Sequence, residues 1–250
     1  MANVSPAFTS KSIFCKIDND LSFTFTSLFT EVTFKIVPDA NFMIKKSLFL
    51  VVLLCAQVLN VSASPSRSLL ILGDSLSAAY GMRQEQGWVS ILNQRFNNNN
   101  SPYHIINASI SGETTAGGLA RLPKVLENNA IDYMLVELGG NDGLRGFPTP
   151  LIKNNLLQII QLAKQKNIEV ALMEIKIPPN YGPRYNKLFT ANYQQLAQEQ
   201  NIPLVPFFME DIAVNPNLML KDGIHPNIDA QPIIADFMET QLTQLLMSKK

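Results

Sequence analysis

Ser75 closes the stretch Leu69-Leu70-Ile71-Leu72-Gly73-Asp74-Ser75, in which four apolar residues run straight into Gly-Asp-Ser. A serine hydroxyl is a poor nucleophile until a base takes its proton, and that base must be oriented by a third group. His225 follows the last of the predicted strands and is the candidate base. Asp222 precedes it by three residues, a spacing that sets a carboxylate beside the imidazole within one turn of chain. Such a carboxylate fixes the histidine tautomer and stabilises the imidazolium. The chain order is Ser75, Asp222, His225. Attack on a carbonyl develops an oxyanion, which needs donors aimed at it. Gly112 has no side chain to block approach to its backbone N–H, and Asn141 offers a side-chain amide. The Ser75 backbone N–H is the third candidate.

Taken singly, each of these residues has an ordinary explanation. Gly139-Gly140-Asn141-Asp142 and Asp222-Gly223 have the composition of turns, and Gly112 that of a helix-start glycine. Asp74 and Asp142 read as turn-holding acids, and His104 as an ordinary residue at a strand start. Convergence changes the weighting. In a parallel sheet the carboxyl ends of the strands share one edge, where open α/β sheets bind their ligands. Ser75 follows the first strand of the expected domain, Gly112 the second and Asn141 the third. Asp222 and His225 lie between the last strand and the last helix.

The elements that must hold these residues alternate regularly. Strands are expected over 69–72, 103–108, 133–138, 169–175 and 204–208. Helices are expected over 88–96, 115–128, 151–166 and 185–200, and from Asp229, as N-cap, onward. Gly73 is expected to permit the turn that follows the first strand. Strand–helix alternation implies a parallel sheet with helices on both faces. The expected fold is therefore α/β, a flavodoxin-like three-layer arrangement of five parallel strands.

The 250 residues are 46% hydrophobic with no net charge, which suits one domain with a full core. Neutrality and the lack of a basic stripe argue against a nucleic-acid partner. Cys15 and Cys55 both precede the expected domain, and His104 and His225 form no paired motif. No metal and no cofactor are expected. A small-molecule substrate and a monomer are.

Residues 1–42 are rich in Phe, Ser and Thr and offer no sustained periodicity. From Met43 the pattern changes to a Lys45-Lys46 pair, an apolar run from Ser47 to Leu59, and Val61-Ser62-Ala63. These are the three regions of an export signal, and the apolar run is shorter than a membrane span requires. The expected organisation is a mis-assigned or disordered extension (1–42), a signal peptide (43–63) cut after Ala63, and a domain (64–250). Export implies a periplasmic location.

The blocks Gly73-Asp74-Ser75-Leu76, Asn107–Gly112, Gly139-Gly140-Asn141-Asp142 and Asp222-x-x-His225 resemble those of the SGNH (GDSL) hydrolase family. The stretches Leu135–Phe147, Pro206–Glu210 and Asp222–Pro232 are similar to its bacterial periplasmic thioesterase I / protease I / lysophospholipase subgroup. The resemblance covers about Leu69 to Leu246. It implies a two-step acyl transfer through an acyl-serine, without metal or cofactor, on esters and thioesters of small or fatty acyl groups.

Three alternatives bear on the same residues. A conventional α/β-hydrolase is disfavoured because Ser75 is not in G-x-S-x-G and follows the first strand. A carbohydrate acetylesterase would use the same site with a polar sugar-binding rim. A non-catalytic flavodoxin-like module would bind an anion on its glycine-rich loops but has no use for the Asp222–His225 pair. Beyond Asn141, Leu144 and Phe147 lie among Gly143 and Gly146, glycines that permit movement. Both apolar side chains are expected to wall the acyl site, extended by the Pro178–Pro183 loop.

Overall fold

A computed structural model describes residues 67–247, together with three short strands near the N-terminus. Those strands are β1 (Cys15–Asp18), β2 (Ser22–Thr26) and β3 (Glu31–Lys35), paired antiparallel in that order. The sequence reading drew no element there. Short polar–apolar alternations such as Ser22-Phe23-Thr24-Phe25-Thr26 suffice for these strands without any sustained periodicity. The expected signal peptide at 43–63 lies outside the described residues.

Residues 67–247 form a second unit around five parallel strands. These are β4 (Arg67–Gly73), β5 (Tyr103–Asn107), β6 (Tyr133–Glu137), β7 (Glu169–Met173) and β8 (Leu204–Val205). Their spatial order is β5-β4-β6-β7-β8, the flavodoxin-like order expected from the alternation. Leu70, Ile71, Leu72, Leu135, Val136 and Leu172 are fully buried, as strands covered on both faces require. β8 is shorter than expected because Pro206 follows at once and cannot donate to a ladder.

The helices are α1 (Trp88–Asn98), α2 (Thr115–Asn128), α3 (Gly140–Leu144), α4 (Thr149–Gln165), α5 (Pro183–Gln200) and α6 (Ala230–Met247). On one face α1 packs on α6, and on the other α2 packs on α4 and α4 on α5. The Trp88 N–H donates to Gln231 Oε1 at 2.9 Å, tying the start of α1 to the start of α6. α6 begins at Ala230, directly after Asp229. Asn227 Oδ1 accepts from the backbone N–H groups of Asp229 and Ala230 at 3.0 and 3.3 Å and so ties down the approach to the helix. No helix among the described residues is long and apolar enough to cross a membrane.

Candidate active site

Of the expected residues, Ser75, His225 and Asp222 meet in one hydrogen-bonded row beyond the strand ends, and Asn141 and Leu144 line the same cavity as Ser75 and His225. After β4, the Asp74 carbonyl accepts from the N–H groups of Ser77 and Ala78, and Asp74 Oδ1 accepts from the Leu76 N–H at 3.0 Å. These bonds fold the chain sharply and hold Ser75 at the rim. Gly73 is needed for space more than for the turn. A Cβ there would stand 2.5 Å from Glu137 Oε2 and 2.8 Å from Ser109 Oγ.

His225 arrives on a narrow loop. The Leu220 N–H donates to the His225 carbonyl at 2.8 Å, and the Asn227 N–H donates to the Leu218 carbonyl at 2.8 Å. Gly223 turns the tip with φ +66°, a conformation side chains resist. Asp222 Oδ1 accepts from the N–H groups of Ile224 and His225 at 2.9 and 3.0 Å. Its other oxygen lies 2.7 Å from His225 Nδ1. Across the cleft, His225 Nε2 is 2.8 Å from Ser75 Oγ. Burial alone would raise the Asp222 pKa. The bonds from the two backbone N–H groups and the imidazole outweigh it and hold the carboxyl at about 2. Asp222 therefore stays ionised beside the imidazole. The Tyr80 ring stacks on His225 with centroids 4.1 Å apart, a contact the sequence reading did not anticipate.

Asn141 stands in the first turn of α3 and lines the same cavity as Ser75 and His225. Its Nδ2 donates one hydrogen to Asp74 Oδ2 at 3.1 Å, leaving the second for the crevice. Asp142 is buried, and its two oxygens accept from the Thr115 N–H and hydroxyl at 2.9 and 2.6 Å. It joins α3 to the start of α2, a holding role as expected. Gly112 has φ +78° and nothing within 4 Å of where a Cβ would sit, so its glycine answers to backbone conformation. Arg145 Nη2 donates to the Gly112 carbonyl at 3.3 Å, linking that loop to the end of α3.

A cavity of about 520 Å³ opens beside the triad. Leu144 lines it with Ile175, Ile177, Pro178, Phe207 and Met209. Phe147 does not: it packs half-buried against the core. The reason is the Pro178–Pro183 loop and the start of α5. Tyr181 and Tyr185 donate their hydroxyls to the carbonyls of Leu144 and Phe147 at 2.8 and 2.6 Å, which clamps that segment down. Gly143 does not provide movement either. A Cβ there would stand 2.8 Å from both Ile177 and Phe189. Ile175, Ile177 and Met209 were missed because their roles depend on where distant loops land.

A family described as GDSL-like Lipase/Acylhydrolase matches residues 71–231. The chain is 50% identical over 189 residues to "Thioesterase 1/protease 1/lysophospholipase L1" of Escherichia coli (strain K12), covering 76% of this chain and 89% of that protein. It is 45% identical over 188 residues to an "Arylesterase" of Vibrio mimicus, covering 75% and 94%. Among solved structures it is similar to the psychrotrophic esterase EstA from Pseudoalteromonas sp., inhibited by monoethylphosphonate. That match has a TM-score of 0.71 and 48% identity, and covers 72% of this chain and 98% of that one.

Proposed function

The chain belongs to the GDSL-like lipase/acylhydrolase family, and from that premise we propose that Ser75, His225 and Asp222 hydrolyse carboxylic esters and thioesters through an acyl-serine. The observation that carries the assignment of roles is the unbroken relay from Ser75 Oγ to His225 Nε2 at 2.8 Å and from His225 Nδ1 to Asp222 at 2.7 Å. With its proton on Nδ1, donated to Asp222, the imidazole presents a lone pair at Nε2 to the serine hydroxyl. As Ser75 Oγ bonds to the substrate carbonyl carbon, its proton passes to Nε2 and the carbonyl electron pair moves onto oxygen. The second hydrogen of Asn141 Nδ2 and the backbone N–H groups of Gly112 and Ser75 receive that oxyanion. The imidazolium protonates the leaving alcohol or thiol as the ester bond breaks. A water then gives its proton to Nε2 and its oxygen to the acyl carbon, and Ser75 leaves with the proton returned by the imidazolium.

The substrate class follows from the cavity wall. Ile175, Ile177, Phe207 and Met209 make an apolar trough for an acyl chain, unlike the polar rim a sugar acetate would need. An organophosphonate probe should label the protein at Ser75 with loss of activity, and Ser75→Ala should abolish both labelling and turnover. Labelling that persists in Ser75→Ala would overturn the assignment.

Residues 43–63 act as an export signal that delivers the domain to the periplasm, where it works as a monomer. The Lys45-Lys46 pair, the apolar run and Val61-Ser62-Ala63 support this. N-terminal sequencing of the exported protein should begin at Ser64; a start upstream of Met43 would refute both the cleavage and the reading of 1–42 as a mis-assigned extension.

A further inference from the structure

Beneath the oxyanion loop lie two acids that the mechanism above does not use. Glu137 is the last residue of β6 and is fully buried, and Asp74 is 2% exposed. They follow adjacent strands, with Gly73 in register with Glu137. Glu137 Oε2 accepts from the Ser77 hydroxyl at 2.8 Å and the Asp74 N–H at 3.2 Å. Glu137 Oε1 is buried and meets no donor. An ionised Glu137 would leave that oxygen an unpaired, charged and buried acceptor, against a second buried acid whose own N–H is bonded to Oε2. Protonation removes the charge and turns the same oxygen into a donor, with the Asp74 carboxylate at the adjoining strand end as an acceptor.

We propose that Glu137 is a neutral carboxylic acid in the working enzyme, donating its proton to Asp74, and that this pair positions the Asn141 amide for the oxyanion. The relay is short. Ser77 anchors Glu137, Glu137 holds Asp74, and Asp74 Oδ2 accepts one of the two hydrogens of Asn141 Nδ2 at 3.1 Å. Turning Asp74 would turn the amide. Glu137 touches none of the reacting atoms, so it is a positioning residue.

The surroundings favour the neutral form. Asp74 faces Glu137 from β4, Tyr193 approaches from α5, and His225 acts on Asp74 from its loop. Neither acid forms an ion pair with a lysine or arginine among the described residues. Burial first, and the Asp74 charge second, push Glu137 well above the usual carboxyl range, which places the shared proton there. An unfolded glutamic acid titrates at about 4.3. Above that pH the folded chain holds a proton the unfolded one has released. The stability this contributes is full below about pH 4.3 and is lost as pH rises through the folded value.

The inference rests on the serine-hydrolase reading for its catalytic consequence but not for its protonation state, so the two can fail separately. Glu137→Gln keeps a donor toward Asp74 and an acceptor toward Ser77. Its kcat should stay within about twofold of the parent, and its melting temperature should gain on the parent as pH rises. Glu137→Ala should lower kcat about 10- to 100-fold with little change in KM, as expected for a misplaced group. Adding Asn141→Ala to Glu137→Ala should bring kcat no lower than Asn141→Ala alone. In infrared spectra of the parent enzyme at neutral pH, the carbonyl stretch of a protonated carboxyl should be present, and Glu137→Gln should remove it. Absence of that band in the folded parent would overturn the neutral acid, whether or not the variants fold. A Glu137→Gln enzyme that folds but is as impaired as Glu137→Ala would overturn it too. Additive losses in the double variant would overturn the positioning role. If the Ser75 assignment itself were wrong, the infrared and melting results would stand unchanged.

Discussion

Asp222→Asn should damage the enzyme more than Asp222→Ala, although asparagine has the shape of the native residue. Asp222 spends one oxygen on two backbone N–H groups, from Ile224 and His225, and the other on His225 Nδ1. An asparagine has one acceptor oxygen and one donor nitrogen. Its oxygen will turn to the two backbone donors, because the opposite orientation aims an amide NH₂ at both of them. Leaving each unmatched costs about 1 kcal/mol or somewhat more, so the preference is about 2–3 kcal/mol. The amide nitrogen then faces Nδ1, and the imidazole must carry its proton on Nε2. That tautomer cannot accept the Ser75 proton. At about 1.4 kcal/mol per factor of ten, competent imidazole falls about 30- to 150-fold. Loss of the charged partner to the imidazolium removes about another 1.5 kcal/mol, about tenfold, the low end being apt because Asp222 is partly exposed. Asparagine should therefore lower kcat/KM by about 10³. Alanine suffers only the second loss, about tenfold, since water can accept from Nδ1. Initial rates on a chromogenic short-chain ester, with matched melting curves, would decide this. An Asp222→Asn enzyme more active than Asp222→Ala would refute the bond assignment around Asp222.

Asn141→Ala should lower kcat by about 10²–10³ with KM little changed, the usual effect of losing an oxyanion donor; an unchanged kcat with a lower melting temperature would reduce Asn141 to a turn residue. In the parent, kcat/KM should rise with acyl length at about 0.8 kcal/mol per buried methylene, close to fourfold, until the cavity is filled. Leu144→Ser with Ile177→Ser should flatten that trend while sparing acetyl esters, and Phe147→Ser should instead lower the melting temperature; a flat trend in the parent would remove the apolar wall. Because folding lowers the Asp222 pKa to about 2, its stabilising contribution is present above the unfolded value of about 3.9 and is lost as pH falls through 2. Melting curves between pH 5 and about 2 should therefore lose less stability in Asp222→Asn than in the parent, and identical slopes would argue against the depressed carboxyl.

The sequence carried the site further than it carried the walls. Ser75, Asn141, Asp222 and His225 were legible because each sits just beyond a strand, or three residues from a partner, where short-range geometry fixes position. The strand order and most helix ends were legible for the same reason, through periodicity. Phe147 was misplaced because its segment is held by Tyr181 and Tyr185, whose hydroxyls arrive from a loop and the start of α5, 37 and 38 residues beyond the carbonyls they meet. Glu137 read as one more residue of an apolar strand. A lone acid at the end of Tyr133-Met134-Leu135-Val136 was the available signal, but the second acid against it becomes visible only when β4 and β6 are side by side. The start of α6 was legible to within a residue, whereas the hold of Asn227 on the Asp229 and Ala230 N–H groups was not, because it depends on how the preceding loop turns.

The loop that carries His225 has a consequence for when the protein becomes active. The nucleophile and its base stand 150 residues apart, and Asp222 and His225 arrive together as one prefolded unit. That unit is anchored through Asn227 to the start of α6, and α6 is fixed by its packing on α1 and by the bond from Trp88 to Gln231. A nascent chain that has already made Ser75 thus lacks the proposed base in its place until the His225 loop has been synthesised and α6 has docked. On the proposed mechanism, docking of α6 is therefore the step that completes the site.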